Sequence, residues 1–538
     1  MDFKRLSERV VRTIRERGER PQVDPTVSVP ARDTVVHSVA DSQVLKWFKN
    51  QLYQLCLATA LHGYSQIVRK GYSPLERALW VIAVGSALVT AITLLWILWT
   101  WNVETPTVTV IESTNYDTYR VPFPAITICN LNKISASKAL ERAQKMTRPN
   151  NMTAEELAFQ FRFLLHVEGL EEADPREYQL LHDILLLNNL EIPQLIGEFA
   201  MPCSTMLERC MWKGTQWRCD NLFEMVNSTE GLCCSFNHFA MRSSNRLQKK
   251  ASSNAPNEPR RVMASGYKTG LSLILNPILE DYHSIDIATT GFKILIHSSF
   301  DFPDENAQMK IIASGTESFI AVYPKETYAS DDALTLAPAE RNCYQYNEVR
   351  MSVMQRYSYV NCMAECRASE IFRACKCLPF HLPSNGSLAN CEFKDFNCLV
   401  ENVERFRSAI PLNNSSITQL MEKPPMVCDC LPSCEMVQYP VEMMYGKINR
   451  SVTFNSLSFF KDIKLKDQSV VHIYFNDLVA TRYRMDIYQN WFGVLASFGG
   501  ILGLFLGFSI ITGFEVIYFF SIRLLFDAAF HSDKPRKQ

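Results

Sequence analysis

Two long hydrophobic runs, one near each end of the chain, dominate the pattern of apolar and polar residues. The first run, Ala78–Trp101, contains 24 residues and no charge. The second, Trp491–Phe526, contains only Glu515 and Arg523 as charged residues. Each run is longer than the roughly 20 residues that a helix needs to cross a bilayer. The pattern therefore predicts two membrane-spanning helices, which we assign to residues 78–101 and 491–521.

Between the two runs, the pattern changes to short helix-like and strand-like segments. Residues 152–200 and 359–377 are rich in helix-forming residues and predict helices. Five stretches rich in β-branched residues predict strands: TPTVTVIE, VPFPAITICN, FKILIHSS, ESFIAVYP and SVVHIYF. No internal repeat is present. Residues 102–490 are therefore predicted to form one large α+β domain.

The distribution of charge predicts the orientation in the membrane. Residues 1–77 contain 13 Lys and Arg against 8 Asp and Glu, and the tail 522–538 ends in the basic sequence HSDKPRKQ. By the positive-inside rule, both termini are cytoplasmic and residues 102–490 are extracellular in a two-pass protein of the plasma membrane. The formal net charge of −1 argues against a nucleic-acid partner, because such proteins carry a strong basic excess.

The 17 cysteines are consistent with this topology. All except Cys56 lie within residues 102–490, where an oxidising environment lets disulfides persist. The spacings CKC and CDCLPSC fit disulfides better than zinc knuckles, so no metal site is predicted. The same region contains the candidate glycosylation sites Asn151, Asn227, Asn385, Asn413, Asn414 and Asn449.

The second run contains residues that a simple lipid anchor does not need. Small residues recur at intervals of four, three and four positions along one helix face, at Ala496, Gly500, Gly503 and Gly507. Alone, this stripe indicates close helix packing. Glu515, however, is ionisable at membrane depth, which favours a water-filled path. Gly507 and Ser509 can also supply oxygen atoms that replace an ion's hydration shell. Together these residues favour a pore-lining helix.

Four signatures, in chain order, resemble the epithelial sodium channel/degenerin family. They are LHGY, FPAITICN after the first run, the cysteine-rich block 343–434 with CDCLPSCE, and GGILGLFLGFS followed by Glu515. The segment GLCCSFN and the Gly-Phe-Ser sequence are similar to the insect pickpocket branch. The resemblance implies a trimeric channel, in which hand-like, disulfide-rich ectodomains connect to a pore formed by the second spans.

The resemblance also implies a role for the pore residues. The selectivity filter would be an extended stretch that interrupts the second span, formed by Gly507, Phe508 and Ser509. Glu515 would lie on its cytoplasmic side. The residues of the pore and gate would be Ala496, Gly500, Gly503 and Glu515. Ala496 corresponds to the position at which bulky replacements hold degenerin channels open.

Two further sets of residues are assigned by the same resemblance. His62 and Gly63 would lie in a re-entrant loop that influences gating, whereas by itself this histidine would be read as a turn residue. The family pattern implies the pairs Cys129–Cys233, Cys210–Cys219, Cys343–Cys434, Cys362–Cys430, Cys366–Cys428, Cys375–Cys398 and Cys377–Cys391. The two cysteines that remain, Cys203 and Cys234, are paired with each other. For most of these pairs, stabilisation alone is a sufficient role.

The leading hypothesis is a pore-forming subunit of a voltage-independent, sodium-selective, amiloride-sensitive cation channel, opened by an extracellular or mechanical stimulus. Sodium would be the permeant ion, without a cofactor. The expected partners are membrane lipid and related subunits in a homo- or heterotrimer. Because the sequence after the first span, NVETPTVTVIESTNYDTYR, lacks a histidine, proton gating is not carried over from acid-sensing relatives.

Four other classes of protein are weighed against this hypothesis. A disulfide-rich adhesion or scaffolding receptor is disfavoured because one membrane anchor would suffice for it and Glu515 would have no role. A non-conducting or regulatory subunit, or a sensory receptor scaffold, of the same architecture is the main alternative. An enzyme is disfavoured because H-E-x-x-H, G-x-S-x-G, Walker and G-x-G-x-x-G motifs are absent from the sequence. The lysine pattern of ATP-gated channels is not evident either.

Overall fold

The computed structural model describes residues 48–149, 151–165, 175–241, 258–384, 386–411, 425–449, 459–461, 463, 465–523 and 525–526. The chain divides into two compact units. The first comprises the residues up to Val108 together with those from Ile487 onwards, and the second comprises Thr109–Asp486. Three candidate glycosylation sites, Asn385, Asn413 and Asn414, lie outside the described residues.

The strands are numbered in chain order. They are β1 (Thr107–Asp117), β2 (Ala125–Asn130), β3 (Asn132–Ser135), β4 (Leu207–Trp212), β5 (Thr215–Trp217), β6 (Phe223–Ser228), β7 (Gly231–Phe236), β8 (Leu271–Leu275), β9 (Tyr282–Ile285), β10 (Gly291–His297), β11 (Gln308–Ala313), β12 (Thr316–Val322), β13 (Lys325–Ala329), β14 (Ala409–Pro411), β15 (Met426–Cys428), β16 (Met436–Gln438), β17 (Val441–Lys447), β18 (Ser469–Phe475) and β19 (Val479–Ile487). All five stretches predicted as strands from the sequence contribute to one of these.

The α-helices are numbered in the same way, and residues 48–58 are helical as well. They are α1 (Tyr64–Val68), α2 (Pro74–Glu104), α3 (Ala136–Lys145), α4 (Ala154–Gln160), α5 (Pro175–Leu187), α6 (Ile192–Phe199), α7 (Cys203–Met206), α8 (Asp331–Leu334), α9 (Pro338–Arg341), α10 (Tyr359–Cys375), α11 (Phe396–Glu401), α12 (Val403–Arg407), α13 (Trp491–Leu506) and α14 (Ile510–Ile517). A π-helical turn, Tyr518–Ile522, follows α14.

Two large sheets form the centre of the second unit. Their strand orders are β17-β12-β18-β8-β4-β5 and β11-β10-β2-β7-β6. Alternate side chains of both sheets, such as Ile126 and Ile128 of β2 and Leu271 and Leu273 of β8, belong to one buried apolar cluster. The two sheets therefore pack face to face, with the ring of Phe123 between them in contact with rings from both sheets.

A third sheet has the strand order β1-β19-β13-β16. Strands β13 and β19 are parallel, with Glu326 opposite Arg482 and Tyr328 opposite Arg484. In the chain, β1 follows α2 after only two residues, and β19 ends shortly before α13. Strands β1 and β19, which are neighbours in this sheet, are therefore the two strands that lead to the long apolar helices.

Eight disulfides cross-link the second unit: seven are the pairs that the family resemblance implies, and the eighth joins the two remaining cysteines, Cys203 and Cys234. Two of them, from Cys362 and Cys366, fix one face of α10 to the segment that contains β15. The four-residue spacing on a helix places both cysteines on that face. Cys56 is the free cysteine of the described residues.

The first unit contains the long apolar helices. Ser73 caps α2 through a capping box with Glu76, and Pro74 occupies the first turn, so the helix begins before the hydrophobic run does. Among the described helices, α2 alone is long and apolar enough to cross a membrane. The second run reaches that length only when its two helical parts are taken together, and their axes bend by 71° at the break.

Candidate pore segment

The break in the second apolar run lies at Gly507, Phe508 and Ser509. Helix α13 ends at Leu506 and is capped by Gly507, whose φ of 69° lies in the left-handed region that glycine adopts without steric cost. The N–H of Gly507 donates to the carbonyl of Gly503 at 2.9 Å, and that of Phe508 donates to the carbonyl of Leu502 at 3.2 Å. These bonds satisfy two of the carbonyls that a helix end leaves unpaired.

Ser509 begins the next helix, α14. Its Oγ accepts the backbone N–H of Thr512 at 3.2 Å, and its own N–H donates to Thr512 Oγ1 at 3.4 Å. The two hydroxyl oxygens lie 3.1 Å apart, and Thr512 is buried. Thr512 was not singled out from the sequence, although the Ser-x-x-Thr spacing is the signal of such a reciprocal cap. This cap orients the Ser509 side chain.

The His62-Gly63 turn contacts the break directly. The backbone N–H of His62 donates to the carbonyl of Leu506 at 2.9 Å. A Cβ added to Gly507 would lie 2.7 Å from His62 Cδ2, and one added to Gly63 would lie 2.7 Å from a methyl group of Val84. The turn therefore packs against both α2 and the end of α13. No local sequence pattern predicts that these distant segments meet.

The remaining residues of the small-residue stripe have few neighbours within the chain. Ala496 and Gly500 are exposed, and a Cβ added to Gly500 would meet no atom within 4 Å. A Cβ on Gly503 would lie 3.8 Å from the carbonyl oxygen of Phe508. The stripe therefore runs from an open surface at Ala496 to a tightly packed end at Gly507.

Glu515 lies in α14, beyond the break. Its Oε2 atom is enclosed and has no hydrogen-bond partner among the described residues. A helix break at membrane depth is tolerated where it is covered by protein or faces a water-filled cavity. The break and the carboxylate are thus two polar features of one otherwise apolar segment, and both suit an aqueous path for a cation.

The candidate glycosylation sites within the described residues differ in their surroundings. The side chains of Asn151 and Asn449 are exposed. The Asn227 amide, in β6, instead donates to the carbonyl of Phe380 at 2.8 Å. A glycan on Asn227 would have to displace this hydrogen bond, whereas Asn151 and Asn449 lie at the surface.

Two buried histidines in the second unit have pKa values well below that of a free histidine. Burial lowers the pKa of His297 to about 4, and its Nε2 lies 2.8 Å from Thr127 Oγ1. Burial, followed by the positive charge of Arg367, lowers the pKa of His381 to about 4 as well. Both imidazoles are therefore neutral at physiological pH.

Comparison with known proteins gives a match along nearly the whole chain. The model of a family described as "Amiloride-sensitive sodium channel" matches residues 55–519, which include the His62-Gly63 turn and the break. The chain is 27% identical to the Sodium channel protein Nach of Drosophila ananassae over 488 residues, which are 90% of this chain and 89% of that protein.

Two more distant relatives are similar over comparable lengths. Pickpocket protein 11 of Drosophila melanogaster is 25% identical over 473 residues, covering 87% of this chain and 75% of that protein. The human Bile acid-sensitive ion channel is 26% identical over 489 residues, covering 86% and 84%.

Proposed function

Because the chain belongs to the amiloride-sensitive sodium channel family, and to its insect branch, we propose that it is a pore-forming subunit of a sodium-selective, voltage-independent cation channel. The family is one of membrane ion channels and not of enzymes. Sodium is the permeant ion, amiloride blocks the pore, and an extracellular or mechanical stimulus opens it.

The break at Gly507, Phe508 and Ser509 is the observation that carries this proposal. It interrupts an apolar helix at a left-handed glycine and restarts it at a capping serine. Three copies of this stretch around a common axis would form a narrow ring of backbone and hydroxyl oxygens, which can replace the hydration shell of a small cation. His62, packed on the same stretch, supports its shape from the side of the first helix.

We place the channel in the plasma membrane. The proposed topology has two spans, and both termini lie in the cytoplasm. Helix α2 would form the first span, and α13 with α14 the second. Residues 102–490 would then be extracellular, which is supported by the eight disulfides and by the exposed sequons Asn151 and Asn449.

The proposed assembly is a trimer, of identical or related subunits. The exposed stretch at Ala496 and Gly500 supports it, because small residues let membrane helices approach closely. In such a trimer, these residues would face the second spans of the neighbouring subunits, and Glu515 would face the cytoplasmic part of the pore.

Whole-cell recording after expression of the full chain tests the proposal. Surface biotinylation first establishes that the subunit reaches the plasma membrane. We expect an inward current that disappears when external sodium is replaced by N-methyl-D-glucamine and that amiloride blocks. A subunit that reaches the surface but adds no current, alone or with a coexpressed pickpocket relative, would contradict it and would favour a regulatory or scaffold role.

A further inference from the structure

A cluster of charged and aromatic side chains crosses the sheet β1-β19-β13-β16, and the proposed pore does not use it. Its centre is Arg482 of β19. Strand β1 contributes Glu112 and Tyr116, and strand β13 contributes Glu326 and Tyr328. We call these five residues the Arg482 clamp. All of them lie in the second unit.

The guanidinium of Arg482 forms ion pairs with carboxylates on both neighbouring strands. Its Nε lies 2.9 Å from Glu326 Oε2, and its Nη1 lies 3.5 Å from Glu112 Oε2. Its Cζ lies 3.9 Å from the centre of the Tyr328 ring and 4.6 Å from that of Tyr116. The Tyr328 hydroxyl donates to Glu112 Oε1 at 2.8 Å, so that β13 also binds β1 through the same carboxylate.

Partial burial makes this cluster stronger than an ordinary surface ion pair. The side chains of Arg482, Glu112 and Glu326 are 27%, 29% and 21% exposed, whereas those of the surface pair Lys466 and Glu280 are 69% and 72% exposed. Salt and water screen the attraction of a partly buried ion pair less than that of an exposed one. Because the planar guanidinium of Arg482 is both stacked on tyrosine rings and ion-paired, its rotation is already restricted, and each contact costs less side-chain entropy.

The position of the clamp in the chain connects it to the proposed spans. Strand β1 continues from α2, and β19 continues into α13. Just beyond the two strands, the N–H of Tyr488 donates to the carbonyl of Pro106 at 2.8 Å, so the two connections are also bonded to each other. Any sliding of β1 along β19 would have to separate Arg482 from Glu112.

We propose that the Arg482 clamp is a positioning device for gating, made in the resting channel and broken when the channel opens. This inference rests on the proposed pore function and adds to it a means of regulation. The clamp holds β1, β19 and β13 in one register, and so opposes sliding of these strands past one another, which is the movement that this inference assigns to opening. Arg482 is thus a positioning residue that contacts neither the ion nor the filter.

The test compares resting sodium current per surface subunit in full-length variants. Arg482→Gln removes the centre of the clamp and should raise the resting current about threefold or more. Glu112→Gln alone should also raise it. The double variant should raise the current by less than the product of the two single-variant increases, because residues in one network of contacts are not additive. Lys466→Gln, in the exposed pair, is the matched control and should leave the current unchanged.

The outcomes separate this inference from the pore proposal. Absence of current from the wild-type chain and its coexpressed relatives would refute the pore proposal. Wild-type current that Arg482→Gln leaves unchanged or lowers would refute the clamp alone, as would full additivity in the double variant. If Arg482→Gln does not reach the surface, Tyr328→Phe decides by the same rise in resting current, because it removes only the hydroxyl that binds Glu112.

Discussion

The contact between His62 and Gly507 allows a quantitative prediction for Gly507→Ala. A Cβ at this position would lie 2.7 Å from His62 Cδ2 and 2.9 Å from His62 Nε2. Overpacking of this kind costs about 1–3 kcal/mol. The φ of 69° adds about 1–2 kcal/mol, because a Cβ disfavours the left-handed region. The two costs together are about 2–5 kcal/mol per subunit, and a trimer incurs them three times.

Such a cost is large on the scale of a gate or a filter. A shift of about 5.5 kcal/mol is enough to move a two-state equilibrium from 1:99 to 99:1. We therefore expect Gly507→Ala to lower the sodium current per surface subunit by about tenfold or more and to change the sodium-to-potassium permeability ratio. Surface biotinylation with whole-cell recording under bi-ionic conditions measures both quantities.

Two further variants test whether steric crowding at Gly507 causes the loss of current. Gly85→Ala, in the middle of α2, is the matched control, because a Cβ there meets no atom within 4 Å and the residue is helical. Combining Gly507→Ala with His62→Ala removes the clash but keeps the left-handed strain, so the double variant should recover part of the current. Wild-type current and permeability in surface-expressed Gly507→Ala would show that the steric argument is wrong.

Three other predictions concern the gate, a disulfide and a buried histidine. Ala496→Val should raise resting current by crowding the second spans around the axis, and a resting current equal to the wild-type value at equal surface density would place Ala496 away from the gate. Cys362→Ser breaks the bond to Cys430, at a cost of about 2–5 kcal/mol, and should retain the subunit inside the cell, whereas Cys56→Ser should reach the surface normally. The pKa of His297 falls from 6.5 to about 4 on folding, so the unfolded chain binds the proton first, and stability should fall as the pH decreases from about 6.5 to 4. Thermal unfolding of the detergent-solubilised chain should show this loss reduced in His297→Gln, and an identical pH dependence in both would contradict it.

Some features of the fold follow directly from local sequence. The uncharged run 78–101 is enough to predict α2, and the Ser-Pro-x-Glu sequence at Ser73 accounts for its earlier start. The high content of β-branched and aromatic residues identifies strands such as β10 and β18. The break, by contrast, was expected from the family resemblance, and a glycine at position 507 is consistent with it because a left-handed helix end favours glycine.

Other features depend on contacts between residues distant in the chain. Strands β4 and β6, LERCMW and FEMVNS, mix polar and apolar residues and were not predicted, because sheet neighbours stabilise them. The packing of His62 against Gly507 could be expected only from the family resemblance, and not from any local pattern. The Arg482 clamp depends on the parallel register of β13 and β19, which no short sequence motif specifies.

The central claim, that Gly507-Phe508-Ser509 of this chain forms the selectivity filter, is tested most directly by the reversal potential of Ser509 variants. With sodium outside and potassium inside, Ser509→Ala and Ser509→Cys remove or replace the hydroxyl that Thr512 orients. We predict that both variants reach the surface and shift the reversal potential towards that of a less selective channel. Surface-expressed variants that carry current with the wild-type reversal potential would contradict the assignment of this stretch as the filter.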